Sequence, residues 1–193
     1  MLRAIRWTAS ALLLALALGW AIGWVGGLRP AAVGGPFTLT DATGRRVTDA
    51  DFRGKWLIVY FGYAYCPDVC PTELQTIATA LDLLGPNADA VTPLFITVDP
   101  ARDTPAAIGQ YVKLFDDRIV GLTGSADDIG AVARAYGVQY AQVGGTKSNS
   151  YVMDHTSAIY LMTPGGKFRA MLPQNGDPEA LANAVRLEIK KGG

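Results

Sequence analysis

Residues 56–71 read WLIVYFGYAYCPDVCP, and this stretch decides the class of fold. Its first part, Trp56–Gly62, is a continuous apolar run rich in strand-forming residues, which predicts a buried central strand. Cys66 follows that strand, and Cys70 opens a segment whose apolar residues recur at helical spacing. In open α/β sheets, ligands and reactive groups gather at the carboxyl ends of the strands. The two cysteines are therefore the first candidates for a functional site.

Strands and helices are predicted to alternate on both sides of this stretch. Residues 37–40 and 45–47 flank a turn and form an N-terminal hairpin. Thr104 and Ser125 are each expected to cap a helix. Further strands are predicted at 91–98, 118–122, 158–162 and 167–171, and helices at 70–84, 105–115, 126–136 and 178–190. This order predicts an α/β sandwich with a mixed central sheet.

The first thirty residues are predicted to anchor the chain in a membrane. Residues 7–28 carry no charge, and as a helix they span about 33 Å, enough for a bilayer core of roughly 30 Å. Arg3 and Arg6 precede this run, so the positive-inside rule keeps residues 1–6 in the cytoplasm. A cleaved signal peptide is the alternative, but its apolar stretch is usually shorter, about 7–15 residues.

Residues 29–36 are rich in Pro, Gly and Ala and predict a short linker to a soluble domain at 37–193. The positive-inside rule places this domain outside the cytoplasm. Only six residues precede the apolar run, too few for a mitochondrial transit peptide. We therefore expect a single-pass protein of a bacterial inner membrane, with its soluble domain in the periplasm.

Composition excludes several classes of protein. The chain has 17 basic and 17 acidic side chains, which argues against a nucleic-acid binder that relies on a basic surface. Hydrophobic residues make up 50% and charged residues 18%, so the chain is not disordered. Two cysteines and one histidine exclude a disulfide-dense scaffold, a four-cysteine zinc site and a histidine cage.

Three kinds of chemistry are open to Cys66 and Cys70. A structural disulfide is the default in a secreted chain, but a bridge over three intervening residues closes almost no loop. The N-terminus of a helix favours a reactive thiolate. Two thiolates and the single imidazole, His155, would suit Cu(I), whereas zinc would need a fourth ligand such as water, Asp68 or Asp154. Periodicity alone does not show that His155 reaches the cysteines.

Three ordered blocks of the sequence resemble the Sco/SenC family. Residues 60–71 (YFGYAYCPDVCP) are similar to the core motif of that family. Residues 98–105 (VDPARDTP) resemble its VDPxRDTP segment, and residues 154–161 (DHTSAIYL) resemble its DHSAxxYL segment. The likeness covers about residues 37–190, and an N-terminal membrane anchor also belongs to the family.

The resemblance implies a thioredoxin-like fold that carries a copper site. Matching positions assign Cys66, Cys70 and His155 as ligands of Cu(I), Cu(II) or both, and Tyr65, where the family often has His, adds no second imidazole. The family is associated with assembly of the dinuclear copper centre of cytochrome c oxidase subunit II. The implied partners are that subunit or another copper-accepting protein, and an upstream copper donor.

Four functions stay open from the sequence. The leading hypothesis is a membrane-anchored copper chaperone, not an enzyme, that passes copper to target thiolates by ligand exchange. The alternative is a thiol–disulfide oxidoreductase with Cys66 as nucleophile and Cys70 as resolving thiol. A peroxidase is weaker, because Tyr63 stands where such sites usually have Thr or Ser, and a copper sensor is the fourth.

Charged residues near the predicted site have two interpretations. Asp99, Arg102 and Asp103 form either a charged rim for docking or a strand-to-helix turn with an ion pair, and turn chemistry favours the second. Asp68 either orients a ligand or interacts with the N-terminus of the helix. Met153 is expected to belong to the core, although a thioether is a conceivable soft ligand.

Overall fold

The computed structural model describes residues 33–145, 151–174 and 176–192. The strands are β1 (Thr38–Asp41), β2 (Arg46–Thr48), β3 (Trp56–Gly62), β4 (Val91–Thr97), β5 (Val120–Thr123), β6 (Tyr140–Val143), β7 (Val152–His155), β8 (Ile159–Met162) and β9 (Phe168–Leu172). The α-helices are α1 (Val69–Leu84), α2 (Pro105–Lys113), α3 (Ala126–Tyr136) and α4 (Pro178–Gly192). Short 3-10 helices cover Asp49–Phe52 and Gly85–Ala90.

Seven of these strands form one mixed sheet in the order β2-β1-β5-β4-β3-β8-β9. β3, β4 and β5 run parallel to their neighbours in this group, and β8 pairs antiparallel with β3. Every residue of β3 is buried. Because successive side chains of a strand point to opposite faces, both faces of the sheet are covered at its centre. The predicted α/β sandwich with a mixed sheet and an N-terminal hairpin is confirmed.

An apolar stripe on α1 places Cys70 in the core. The stripe consists of buried residues spaced three or four apart, which lie on one face of a helix: Cys70, Leu74, Ile77, Leu81 and Leu84. Burial of each large aliphatic side chain contributes roughly 1.5–3 kcal/mol. Cys70 is the first member of the stripe, so the packing of the helix itself sets the depth of this thiol.

Both predicted helix caps are present. The hydroxyl of Thr104 accepts a hydrogen bond from the backbone N–H of Ala107 at 3.3 Å, at the start of α2. Ser125 and Asp128 form a reciprocal capping box at the start of α3. Gly137 ends α3 with φ of 69°, a left-handed conformation that costs glycine little. Local capping chemistry therefore sets these boundaries.

The structure departs from the predictions at one hairpin and, by one or two residues, at several boundaries of helices and strands. The strand predicted at 118–122 lies at Val120–Thr123, and α2 ends at Lys113 rather than at 115. β6 and β7 were not predicted at all. They pair antiparallel as a separate two-stranded sheet, and most of the residues of β6 are exposed, so no alternating apolar pattern marks this strand.

The predicted anchor at 7–28, together with residues 1–6 and 29–32, lies outside the described residues. Within the part of the chain that the structure describes, no helix is long and apolar enough to cross a membrane. The end of the predicted linker is described. The N–H of Gly34 donates to the carbonyl of Ala135 at 2.8 Å, and Val33 packs against the core.

Candidate metal and thiol site

Cys70 and His155 come into contact across the fold. The Sγ of Cys70 lies 3.7 Å from Nε2 of His155. Nδ1 of His155 lies 3.2 Å from the carbonyl oxygen of Thr156. Because a carbonyl oxygen only accepts hydrogen bonds, Nδ1 carries the proton of the neutral ring and Nε2 presents its lone pair to Cys70. The imidazole is thus oriented to bind a metal ion or to accept a proton beside the thiol.

Cys66 lies in the turn between β3 and α1, where its side chain is half-buried. Its Sγ accepts the backbone N–H of Cys70 at 3.5 Å. Burial raises the pKa of the Cys66 thiol, but hydrogen bonds from the backbone N–H groups of Asp68 and Cys70 outweigh it, and the net pKa shift is downward. The orphan N–H groups of the first turn of α1 therefore favour the thiolate of Cys66.

Cys70 has the opposite character. It is fully buried, and burial raises the pKa of its thiol to about 12, with a further contribution from the charge of Cys66. Both cysteines are free thiols. The pair therefore consists of an accessible sulfur that ionises readily and a buried sulfur that holds its proton. The prediction that Cys66 is the more exposed of the two is confirmed.

Asp103 supports the turn that carries Cys66. Its side chain is fully buried, and its Oδ2 accepts the backbone N–H of Ala64 at 3.0 Å and the hydroxyl of Thr97 at 2.6 Å. Its carbonyl oxygen accepts the hydroxyl of Thr123 at 2.8 Å. Burial raises the pKa of Asp103. Asp103 therefore ties the turn before Cys66 to β4 and β5.

Asp99, four residues before Asp103, forms the predicted ion pair with Arg102. Nε of Arg102 contacts Oδ2 of Asp99, and the two side chains are only 9% and 4% exposed. The interpretation as a turn with an ion pair is confirmed. The alternative, a charged rim, is wrong for Asp99 and Asp103, because both carboxylates are buried against the β4–α2 turn.

Close approach of the backbone is required at Gly62. A Cβ atom at this position would lie 2.8 Å from Sγ of Cys70 and 2.7 Å from a ring carbon of Phe95. The buried ring of Tyr63 meets His155 edge-on, with centroids 5.9 Å apart. A glycine inside a strand signals such an approach, so Gly62 was open to prediction from sequence. No local signal marked Tyr63 or the contact of Asp103 with Ala64.

Three other candidates lie at the edge of the site. Asp68 precedes α1 as its N-cap residue, is exposed, and makes no capping hydrogen bond with its side chain. Asp154 is also exposed. Both line a cavity of about 400 Å³ beside Cys66. Met153 is half-buried and packs against the core, as predicted.

The donor groups fit a soft metal ion only in part as they stand. Among the described residues, no group of three or more His, Cys, Asp or Glu side chains is arranged to hold a metal ion. Sγ of Cys70 and Nε2 of His155 lie 3.7 Å apart, so these two atoms could both bind one metal ion. Thiolate and imidazole donors suit copper. Cys66, whose sulfur lies beside the Cys70 amide, is the candidate third donor.

A family model and a curated relative both match most of this sequence. A sequence model of the family described as SCO1/SenC matches residues 26–190. The mitochondrial SCO1 homolog of Homo sapiens is 42% identical over 160 residues, which cover 82% of this chain and 53% of that protein. The chain thus spans about half the length of this curated relative.

Solved structures resemble the chain over most of its length. Arabidopsis thaliana ScoI with copper bound has a TM-score of 0.77 and 42% identity, covering 83% of this chain and 99% of that chain. Bradyrhizobium japonicum ScoI with copper bound has a TM-score of 0.75 and 42% identity, covering 81% and 99%. A thioredoxin domain from Bacteroides vulgatus, 20% identical with a TM-score of 0.58, shares the fold alone. The fold is therefore thioredoxin-like, as expected.

Proposed function

The chain belongs to the SCO1/SenC family, and from this membership we propose that it is a copper chaperone. Its proposed copper ligands are Cys66, Cys70 and His155. The observation that carries this proposal is the 3.7 Å contact between Sγ of Cys70 and Nε2 of His155, which joins a thiol and an oriented imidazole. Copper bound to relatives of the same fold supports the choice of metal.

Transfer of the cargo is proposed to begin at Cys66. Cys70 and His155 hold Cu(I) from the buried side, whereas the half-buried Cys66 faces the surface cavity. An incoming thiolate of the target replaces the sulfur of Cys66 on copper, and further target ligands then replace Cys70 and His155. Each step exchanges one donor for another, so the oxidation state of copper is unchanged and no reductant is needed.

The proposed location and partners rest on the sequence pattern and the family. Residues 7–28 anchor the chain in a bacterial inner membrane, with residues 1–6 in the cytoplasm and the domain at 37–193 in the periplasm. The proposed target is cytochrome c oxidase subunit II or another copper-accepting protein, in assembly of a dinuclear copper centre. A separate donor supplies the copper.

The test uses the full-length chain in detergent, reduced and free of oxygen. Cu(I) is titrated against a chromogenic chelator, with Zn²⁺ in parallel. We expect one Cu(I) per chain and a loss of Cu(I) affinity of about tenfold or more in His155→Ala. Gln142→Ala, an exposed position on β6 of the same hairpin, is the matched control and should keep wild-type affinity. Affinity that does not change in His155→Ala would overturn the ligand assignment.

A specific observation favours the alternative, a thiol–disulfide oxidoreductase. Cys66 is accessible and Cys70 is buried directly behind it, the arrangement of a nucleophile and its resolving thiol. The thiolate of Cys66 attacks a target disulfide and releases one target thiolate. Cys70 then gives its proton to Nε2 of His155, 3.7 Å away, and attacks Sγ of Cys66, which releases the second target thiolate. The target is reduced and the Cys66–Cys70 pair is oxidised.

Trapping experiments distinguish this alternative from copper delivery. In metal-free protein, Cys70→Ser should accumulate a mixed disulfide with a model disulfide peptide, whereas Cys66→Ser should form none. Wild type should reduce the peptide faster than a small-thiol control at equal thiol concentration. A rate no higher than that control would count against the oxidoreductase.

A further inference from the structure

Arg102, in the β4–α2 turn, occupies the centre of a partly buried cluster. Its Nε contacts Oδ2 of Asp99, and its Nη1 donates to the carbonyl oxygen of Tyr151 at 3.0 Å. The hydroxyl of Tyr151 in turn donates to Oδ1 of Asp99 at 2.8 Å. These three residues, Asp99, Arg102 and Tyr151, close a ring of polar contacts that we call the arginine clamp.

The guanidinium of Arg102 also lies against three tyrosine rings. Its central carbon is 3.7 Å from the ring centroid of Tyr151, 4.9 Å from that of Tyr65 and 5.8 Å from that of Tyr63. A cation is attracted to the face of an aromatic ring. Tyr63 and Tyr65 belong to the turn that carries Cys66, and Tyr151 directly precedes β7. One side chain therefore contacts both halves of the site.

The hairpin that carries His155 depends on such side-chain contacts. β6 and β7 pair with each other and are not hydrogen-bonded into the seven-stranded sheet. His155 is the last residue of β7, four positions after Tyr151. The hydrogen bonds of the main sheet therefore do not position the imidazole, and the contacts at the start of β7 act beside the packing of Met153 on the core.

We infer that Arg102 is a positioning residue: the arginine clamp holds the β6–β7 hairpin against the Cys66 turn so that His155 faces Cys70. Asp99 orients the guanidinium, and the carbonyl of Tyr151, directly before β7, ties that strand to the guanidinium. Lysine is a poor substitute, because a point charge does not donate to two partners in one plane while stacking on a ring. The consequence for copper rests on the proposed function, whereas the position of His155 does not.

The first test needs no copper. His155 is the single histidine of the chain, so its ring signals in a proton NMR spectrum of the reduced, metal-free, full-length protein are assigned directly. In Arg102→Gln and Arg102→Lys these signals should move toward those of a solvent-exposed histidine. Arg46→Gln, which breaks the more exposed ion pair with Asp128, should leave them unchanged.

Unchanged His155 signals in a folded Arg102→Gln protein would overturn the inference. Where Arg102→Gln does not fold, Arg102→Lys and Tyr151→Phe decide the question in the same way. Tyr151→Phe removes only the hydroxyl that contacts Asp99, so a smaller shift in the same direction is expected.

The second test is a double-mutant cycle in Cu(I) affinity. Arg102→Gln should weaken Cu(I) binding about tenfold or more in the wild-type background and less than about twofold in the His155→Ala background. Equal losses in both backgrounds would show that Arg102 does not act through His155 and would overturn the inference. Wild-type affinity that is independent of His155 would instead count against the proposed function, and the NMR result would still decide the role of the clamp.

Discussion

The Sγ of Cys70 lies 3.7 Å from Nε2 of His155, although 85 residues separate the two in the chain. The contact forms because α1 buries Cys70 at the head of its apolar stripe while β7 ends at His155 above it. Cys66 lies half-buried in the turn before α1, and its sulfur accepts a hydrogen bond from the backbone N–H of Cys70 in the first turn of that helix. The site therefore has a fixed, buried side and an accessible side.

The two thiols should differ sharply in reactivity. Hydrogen bonds from backbone amides lower the pKa of Cys66 overall, despite its burial, whereas burial raises the pKa of Cys70 to about 12. At pH 7 Cys70 is therefore almost entirely protonated. In the metal-free, reduced chain, iodoacetamide should alkylate Cys66 and leave Cys70 unmodified, as followed by mass spectrometry.

The pH dependence of this alkylation is a second part of the same measurement. The rate for Cys70→Ser, which keeps Cys66, should rise to half its maximum below the ordinary thiol pKa of 9.0. Cys66→Ser, which keeps Cys70, is the matched variant and should react slowly throughout. In urea both variants should react alike, and equal rates in the folded proteins would contradict the assignment.

Gly62→Ala should destabilise the domain and displace the buried thiol. The added Cβ would meet Sγ of Cys70 at 2.8 Å and Phe95 at 2.7 Å, and overpacking of a core costs about 1–3 kcal/mol. Urea unfolding measures the loss. Gly165→Ala is the control, because a Cβ there meets its nearest neighbour at an ordinary 3.8 Å. Equal stability of Gly62→Ala and wild type would show that the approach to Cys70 is not tight.

The parts of the fold that sequence predicts well are those with strong local causes. β3 was predicted at its observed bounds because all its residues are apolar and buried. α3 was also predicted at its bounds, because the Ser125 capping box begins it and Gly137 ends it. β6 was missed because a largely exposed two-stranded sheet needs no apolar alternation. The strand predicted at 118–122 begins two residues later and ends one residue later in the structure, for lack of such a boundary signal.

The sequence predicts the thiol chemistry of the site, but it does not predict how the fold brings the site residues together. The order of Cys66, a helix start and Cys70 indicates a thiol site, because a helix N-terminus acts on the nearest sulfur. No periodicity places His155 against Cys70, since that contact joins two elements that lie 85 positions apart in the chain. The contacts of Arg102 with Tyr151 and of Asp103 with Ala64 also join distant segments, and local rules do not reach them.

Asp128→Ala should lower the free energy of unfolding by about 1–2 kcal/mol at pH 7, since it removes half of a capping box and an ion pair with Arg46 at the surface. The contacts with Arg46 and Ser125 hold the pKa of Asp128 well below its ordinary value of 3.8. This stabilisation is present above that value and is lost as pH falls through the lower pKa of the folded state. The loss of unfolding free energy in Asp128→Ala should therefore become smaller in acid. Asp127→Ala, at the adjacent exposed position, should lower the free energy of unfolding less at every pH.

Asp103→Asn should change how stability depends on pH. Burial raises the pKa of Asp103, so the folded state favours the protonated carboxyl. Its contribution to stability is present below the ordinary pKa and is lost as pH rises through the higher pKa of the folded state. Asparagine does not ionise, and its oxygen still accepts from Ala64 and Thr97. The free energy of unfolding of Asp103→Asn minus that of wild type, both measured in urea, should therefore increase as the pH is raised from about 4 to 7, because wild type loses stability over this range.

The slope of this difference, rather than its absolute value, tests the argument. Within the described residues, Oδ1 of Asp103 is buried without a hydrogen-bond partner, so the amide group of asparagine adds a cost there that is independent of pH. Asp117→Asn, the same change at an exposed position, is the control. If the difference for Asp103→Asn does not change with pH, the pKa of Asp103 is not raised in the folded state and the argument is wrong.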